Sequence, residues 1–292
     1  MKNTILKFIG LGLAAALVVV PGALGQMGQQ QGTGSQGMGQ GQQQGQAQQP
    51  PPGAAQTPPA TPPPVDPVEE AACKKAIGKS TDAKQVVSDS NDYLKKYPTG
   101  RCAGQVYAQL SMAYLQQGDG DKAGAAAQKA IQLNPNSPDA LPVLAVVSSH
   151  EISGGPGSAQ KIQATENYAH LGIQILNALQ KPPDVSDVDF STQRDEKLAL
   201  CHSAMGLALL FERKGTLAVQ ELSAATKLES PPEPMDLYLL AVAYDAAGQI
   251  NQAVTTFEAA CPKLTGEMQQ RCIGLLSEEK KKAPAQPPAP RQ

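Results

Sequence analysis

From about residue 67 to residue 282, apolar side chains recur at three- and four-residue spacing, and few stretches alternate with period two. That spacing lays an apolar stripe along a helix and none along a strand, so this part of the chain is restricted to helices. Breaks recur at Gly100, Gly118-Asp119, Asn134-Pro135, Pro182-Pro183, Gly215, Pro231-Pro232 and Gly248. They leave helices of roughly 12–18 residues with short connections, the pattern of stacked helical hairpins. Seven Tyr, four Phe and no Trp in 292 residues supply too few aromatics for the strands of a β-sandwich or barrel. Charge excludes other classes. Twenty-four Lys and Arg against 26 Asp and Glu leave a net charge of −2, with no electrostatic reason to bind nucleic acid or an acidic lipid surface.

The flanks differ from the block. Lys2 and Lys7 precede an uncharged run from Phe8 to Val20, which Pro21-Gly22 ends. Ala23-Leu24-Gly25 then puts small residues before a cut at Gln26, completing the three-part layout of a secretory signal peptide at 1–25. The run would rise about 20 Å as a helix, short of a ~30 Å hydrocarbon core, so cleavage is expected rather than anchoring. The remaining chain is expected to be periplasmic or secreted, with no membrane span. Residues 26–66 are almost only Gln, Gly, Pro, Ala and Thr, a composition that cannot offset its ordering entropy and reads as a disordered linker. Residues 283–292 form a second Pro-rich segment, a tail.

Within the block, Tyr107, Leu110, Tyr114, Gly118, Asp119, Ala123, Ala130, Ile131, Leu133 and Pro135 keep a fixed spacing when Gly104 is counted as position 1. That spacing resembles the tetratricopeptide repeat (TPR), a helix-turn-helix unit of about 34 residues. The frame recurs from Ala199, through Met205, Gly206, Ala218, Leu222, Ala225 and Leu228. It recurs again from Pro234, through Leu240, Tyr244, Gly248, Ala253, Phe257 and Ala260. Clear units therefore span 104–137, 199–232 and 234–264 of a domain at 67–282. Small residues at positions 8, 20 and 27 let the two helices and the next unit approach closely. Departures are Ser111 and Ala127, where the family usually has Gly and an aromatic. Two weaker units are a first hairpin over 68–97, with Val86, Val87, Leu94 and Tyr97 as its seam, and a hairpin at 137–150 whose second helix starts near Lys161. Long connections are expected at 152–160 and 181–189. Residues 267–282 read as the capping helix that such arrays need. The resemblance implies an all-α, right-handed superhelix of about five hairpins plus that cap.

In such a stack Cys73 and Cys102 are neighbours, and Cys261 and Cys272 join the last repeat to the cap. We expect the disulfides Cys73–Cys102 and Cys261–Cys272, with Cys201 free and buried; the alternative is five reduced thiols. Loops of about 30 and 11 residues would stabilise the terminal units by roughly 3–4 kcal/mol each in the loop-entropy model.

No HExxH, CxxC or GxxxxGK[ST] motif occurs. Cys201 and His202 are adjacent, and neighbours on a helix point about 100° apart, so they form no nucleophile–base pair with each other. Neither catalytic residues nor a cofactor or metal is expected, and His202 reads as core. TPR stacks bind peptides on the concave face lined by first helices. By resemblance that face holds Gln105, Met112, Gln116, Val146, His150, Ser203, Leu207, Phe211, Tyr238, Val242 and Asp245. It carries no Lys or Arg, so it does not resemble the clamp for an acidic C-terminal peptide. Its apolar stripe suits a helix or an extended hydrophobic peptide. The same side chains would equally serve to pack against the cap, an insertion or a second copy. The expected function is an exported, non-enzymatic scaffold for another envelope protein, with a self-assembling structural protein as the alternative.

Overall fold

The structure, a computed structural model, describes residues 66–78, 80, 82–155 and 157–282. The expected leader, nearly all of the linker and the tail lie outside the described residues. Among those residues there are eleven α-helices and no strand. Five hairpins follow one another: α1 (Pro67–Ala76) with α2 (Ala83–Lys96), α3 (Ala103–Gln117) with α4 (Gly120–Leu133), and α5 (Ala140–His150) with α6 (Ser158–Ala178). Then come α7 (Asp187–Phe211) with α8 (Gly215–Leu228) and α9 (Pro234–Ala246) with α10 (Ile250–Ala260). A short 3₁₀ turn at Cys261–Lys263 leads into the cap, α11 (Gly266–Lys282). Each helix packs on the next, and the first helices also meet across units, α3 on α5, α5 on α7 and α7 on α9. This is the all-α helical-repeat architecture that the periodicity requires.

One turn is used three times. Gly118 ends α3 in the left-handed region (φ 79°), donating to Leu115 O at 3.0 Å while Asp119 N–H reaches Tyr114 O at 3.0 Å. Gly248 (φ 72°) does the same after α9: its N–H bonds Asp245 O at 2.8 Å, and Gln249 N–H bonds Tyr244 O at 2.8 Å. After α7 the equivalent residue is Arg213 (φ 61°), with Arg213 N–H on Leu210 O at 3.0 Å and Lys214 N–H on Leu209 O at 2.9 Å. The backbone bonds that close the turn outweigh the usual cost of placing a side chain in this region. Asp119 then caps α4 by accepting from Lys122 N–H at 3.1 Å.

The small positions of the repeat frame are buried throughout. Ser111, Ala123 and Ala130, then Ala218 and Ala225, then Ala241, Ala253 and Ala260 are all fully excluded from solvent. At Gly206 a methyl group would run into Leu222 of α8, so only glycine lets α7 and α8 close on each other there. The main core runs from α3 to α11, and a smaller cluster around Tyr93, Val106 and Leu110 lies at the α1–α3 end. Tyr93, which the expected seam of the first hairpin omits, is buried more deeply than Leu94 beside it.

Two boundaries depart from expectation. α6 starts at Ser158, directly after Gly157 (φ 91°), three residues before the expected Lys161. α7 starts at Asp187, inside the connection expected to run to Asp189. Ser186 caps it by accepting from Asp189 N–H at 3.0 Å. That Ser-x-x-Asp cap adds about three helical turns before the repeat frame begins at Ala199, turns held to α5 by the Lys197–Asp139 ion pair.

Candidate partner-binding face

The eleven residues expected on the first-helix face fall into two groups. Gln105 and Gln116 on α3 are exposed, and Met112 between them is half-buried. His150 at the end of α5, Ser203 and Phe211 on α7 and Asp245 on α9 are also half-buried. The other four are not surface residues. Val146 (9% exposed), Leu207 (3%), Tyr238 (0%) and Val242 (8%) belong to the main core. The expected continuous apolar stripe is therefore closed along α7 and α9. At those positions the first helices pack tightly enough for large apolar side chains to become interior filling.

At the α9 end the face is filled from α10, and α11 reaches it with two long side chains, Arg271 and Lys282. Tyr238 packs edge-on against Phe257 of α10, ring centroids 6.0 Å apart. Burial pushes its phenol up, and Arg271 of α11 beside the hydroxyl acts in the opposite direction. Asp245 pairs with Lys282 at 3.2 Å, and Lys282 also holds Glu279 at 2.6 Å, a residue only 2% exposed. Burial pushes Glu279 up, and Lys282 acts against that shift. Tyr238 thus serves the packing of α9 on α10, and Asp245 serves the cap.

Ser203 belongs to a polar junction that the motifs did not signal. Its hydroxyl donates to Asp236 on the first turn of α9, and Asp236 is 7% exposed. Glu229, following α8, accepts from Glu233 N–H at 2.8 Å. Burial pushes Asp236 up to about 6, with the Ser203 and Glu229 hydrogen bonds opposing the shift. Burial and the neighbouring Asp236 charge push Glu229 up to about 8. Two carboxyls brought together in a part-buried junction raise each other's pKa, which favours sharing a proton over both ionising. Three acids within 229–236, flanking Pro231-Pro232, were the only sequence sign of this arrangement.

The remaining reactive side chains are separated. Cys201 is free and fully buried, and it faces Gly172 of α6, where a methyl group would lie 2.8 Å from its sulfur. Burial pushes its thiol up to about 12, leaving no thiolate at neutral pH. His202, expected in the core, is half-buried instead and turns towards α8, its Nδ1 2.7 Å from Glu221. Burial pushes His150 down towards the neutral imidazole. Among the described residues no three His, Cys, Asp or Glu side chains converge to hold a metal.

The α3–α4 hairpin combines the Gly118-Asp119 turn with buried small positions. Residues 104–137 match the tetratricopeptide repeat family. That TPR unit carries the open part of the face: Gln105, Met112 and Gln116. A thermophilic TPR protein of Thermus thermophilus is 13% identical over 73% of this chain and 99% of its own, with a TM-score of 0.45. Yeast Tom70 is 15% identical over 73% of this chain and 39% of its own, with a TM-score of 0.45. Acl4, an assembly chaperone of RpL4, is 14% identical over 73% of this chain and 98% of its own, with a TM-score of 0.41. No curated protein matches.

Proposed function

We propose that this chain is an exported, non-catalytic scaffold that binds a protein or peptide partner in the cell envelope. The observation that carries the reading is the split of the first-helix face. Leu207 on α7 and Tyr238 and Val242 on α9 are core, whereas Gln105 and Gln116 of the TPR unit are exposed with Met112 half-buried between them. A thioether flanked by amides on one helix suits a partner that brings an apolar anchor and backbone amides rather than an acidic terminus. The partner docks on the α3–α5 part of the face, and the segment at 26–66 supplies reach. Export is supported by the signal-peptide layout of residues 1–25 and by two disulfides, which persist in oxidising compartments.

The test is capture from envelope extract with residues 26–292, beside Met112→Lys/Gln116→Lys in the same chain. Gln116 is exposed and Met112 is half-buried against the core, so the variant is used only after circular dichroism shows wild-type helicity. Loss of one captured protein supports the reading. Equal capture by both baits moves binding off this face. A chain that captures nothing and grows in mass with concentration by light scattering would favour the self-assembling alternative.

A further inference from the structure

α1 is the least supported element of the array. It has ten residues, of which only Cys73 and Ala76 are buried. A helix this short is marginal in water without tertiary support. Its support is local. Glu69 Oε1 accepts from the Tyr93 hydroxyl at 2.9 Å and from Arg101 N–H at 2.8 Å, and the Tyr93 oxygen accepts from Cys102 N–H at 3.2 Å. Gly100 fits beneath this hub because it has no side chain; a methyl group there would lie 2.5 Å from Glu69 Oε1 and 2.6 Å from the Tyr93 oxygen. The Lys75–Asp89 pair at 2.9 Å has a solvent-exposed lysine and adds little. The Cys73–Cys102 disulfide closes the hub, joining the middle of α1 to the start of α3 with Cα atoms 6.0 Å apart.

The two disulfides differ in access. Cys261 (3% exposed), which opens the 3₁₀ turn, and Cys272 (0%), within α11, are both interior. Cys73 is buried, but Cys102 is half-buried in the turn that precedes α3. Thiol–disulfide exchange requires a thiolate to reach a sulfur, so access decides which bond is attacked.

We infer that the Cys73–Cys102 bond is a reducible latch on α1, which a dithiol reductant opens while the Cys261–Cys272 bond stays closed. A thiolate of the dithiol attacks the Cys102 sulfur, the S–S bond breaks, and Cys73 leaves as a thiolate that takes up a proton. The second thiolate of the reductant attacks its own sulfur in the mixed disulfide and expels the Cys102 thiolate, which is protonated in turn. The protein disulfide gains two electrons and two protons, and the dithiol becomes a disulfide. The departing Cys102 thiolate sits at the N-terminus of α3, where the helix dipole favours negative charge. Once the latch is open, Glu69 is the main tie between α1 and the turn before α3. Release of α1 then uncovers Tyr93, Leu94, Val106 and Leu110, the terminal face of the array.

The experiment treats the purified chain, both bonds formed, with graded dithiothreitol at neutral pH, followed by alkylation, peptide mass mapping and hydrogen exchange. Cys73 and Cys102 should become alkylated on the order of tenfold faster than Cys261 and Cys272. Amides of 67–77 should lose protection as they do, while α9 to α11 keep theirs. Cys73→Ser/Cys102→Ser, without reductant, should reproduce the exposed α1. Equal reduction rates for the two bonds overturn the inference. So do α1 amides that stay protected once Cys73–Cys102 is open, and so does an oxidised preparation in which Cys73 and Cys102 are already free.

Discussion

Replacing Gly215 by alanine puts a methyl carbon 2.6 Å from the carbonyl carbon of Ala246, 2.7 Å from its oxygen and 2.8 Å from Ala247 N. All three are backbone atoms at the end of α9, so no rotamer change relieves the contact. α8 and α9 must move apart. Overpacking of this kind costs about 1–3 kcal/mol. Alanine's better helix propensity returns about 1 kcal/mol, leaving a net loss of ~0–2 kcal/mol. A helical body of roughly 200 residues loses about 2–4 °C per kcal/mol, so the midpoint should fall by up to about 8 °C. Gly274→Ala is the control. That glycine lies within α11 with nothing inside 4 Å of the added carbon, so alanine should stabilise by about 0.5–1 kcal/mol. Thermal melts by circular dichroism compare the two variants under one condition. If Gly215→Ala raises the midpoint as Gly274→Ala does, then close approach of α8 to α9 does not hold the repeats together.

Arg213→Gly should stabilise the array by about 1 kcal/mol in urea melts, because it relieves the left-handed turn that Gly118 and Gly248 already make without strain. Leu207→Lys should cost on the order of 4 kcal/mol and lower helical content, because it buries an unpaired charge at a core position; wild-type helicity would place Leu207 on a free surface. With Glu229 raised to about 8 and Asp236 to about 6, the folded chain binds protons that the unfolded chain releases above about pH 4. This contribution is fully present below about pH 4 and is lost as the pH rises through 6 to 8. Asp236→Asn should flatten that fall in pH-dependent urea melts, and an unchanged slope would exclude the pair as its source.

The architecture was legible because helices announce themselves by period and repeats by register. Ser111, Ala123 and Ala130 share their spacing with Gly206, Ala218 and Ala225, and the backbones close at each of them. The turn at Arg213 was not legible, because the sequence places an arginine where the other two repeats place glycine, and only the backbone bonds show the equivalence. The face was half legible. Repeat position assigns a residue to the first-helix side, but whether that side is open depends on contacts made by distant chain. Tyr238 and Asp245 occupy face positions, yet Phe257 of α10 packs on the first and Lys282 of α11 pairs with the second. Leu207 and Val242 differ from Met112 in burial, not in kind, and spacing carries no information on burial of that origin. The Asp236–Glu229 junction was hidden for the same reason, since its Ser203 contact joins residues 33 apart in sequence.

Linear arrays of hairpins ordinarily melt from their ends, where a terminal unit has one neighbour instead of two. Here each end is cross-linked, α1 to the start of α3 and the end of α10 to α11. End-first unzipping is therefore suppressed, and the cheapest place to nucleate unfolding shifts inward. The connection between α6 and α7, from Leu179 to Ser186, has no helix of its own, while α7 still packs on both α5 and α6 across it. Exposed to protease in the oxidised state, the chain should be cut there first, into two pieces that stay packed on each other and each keep one sealed end.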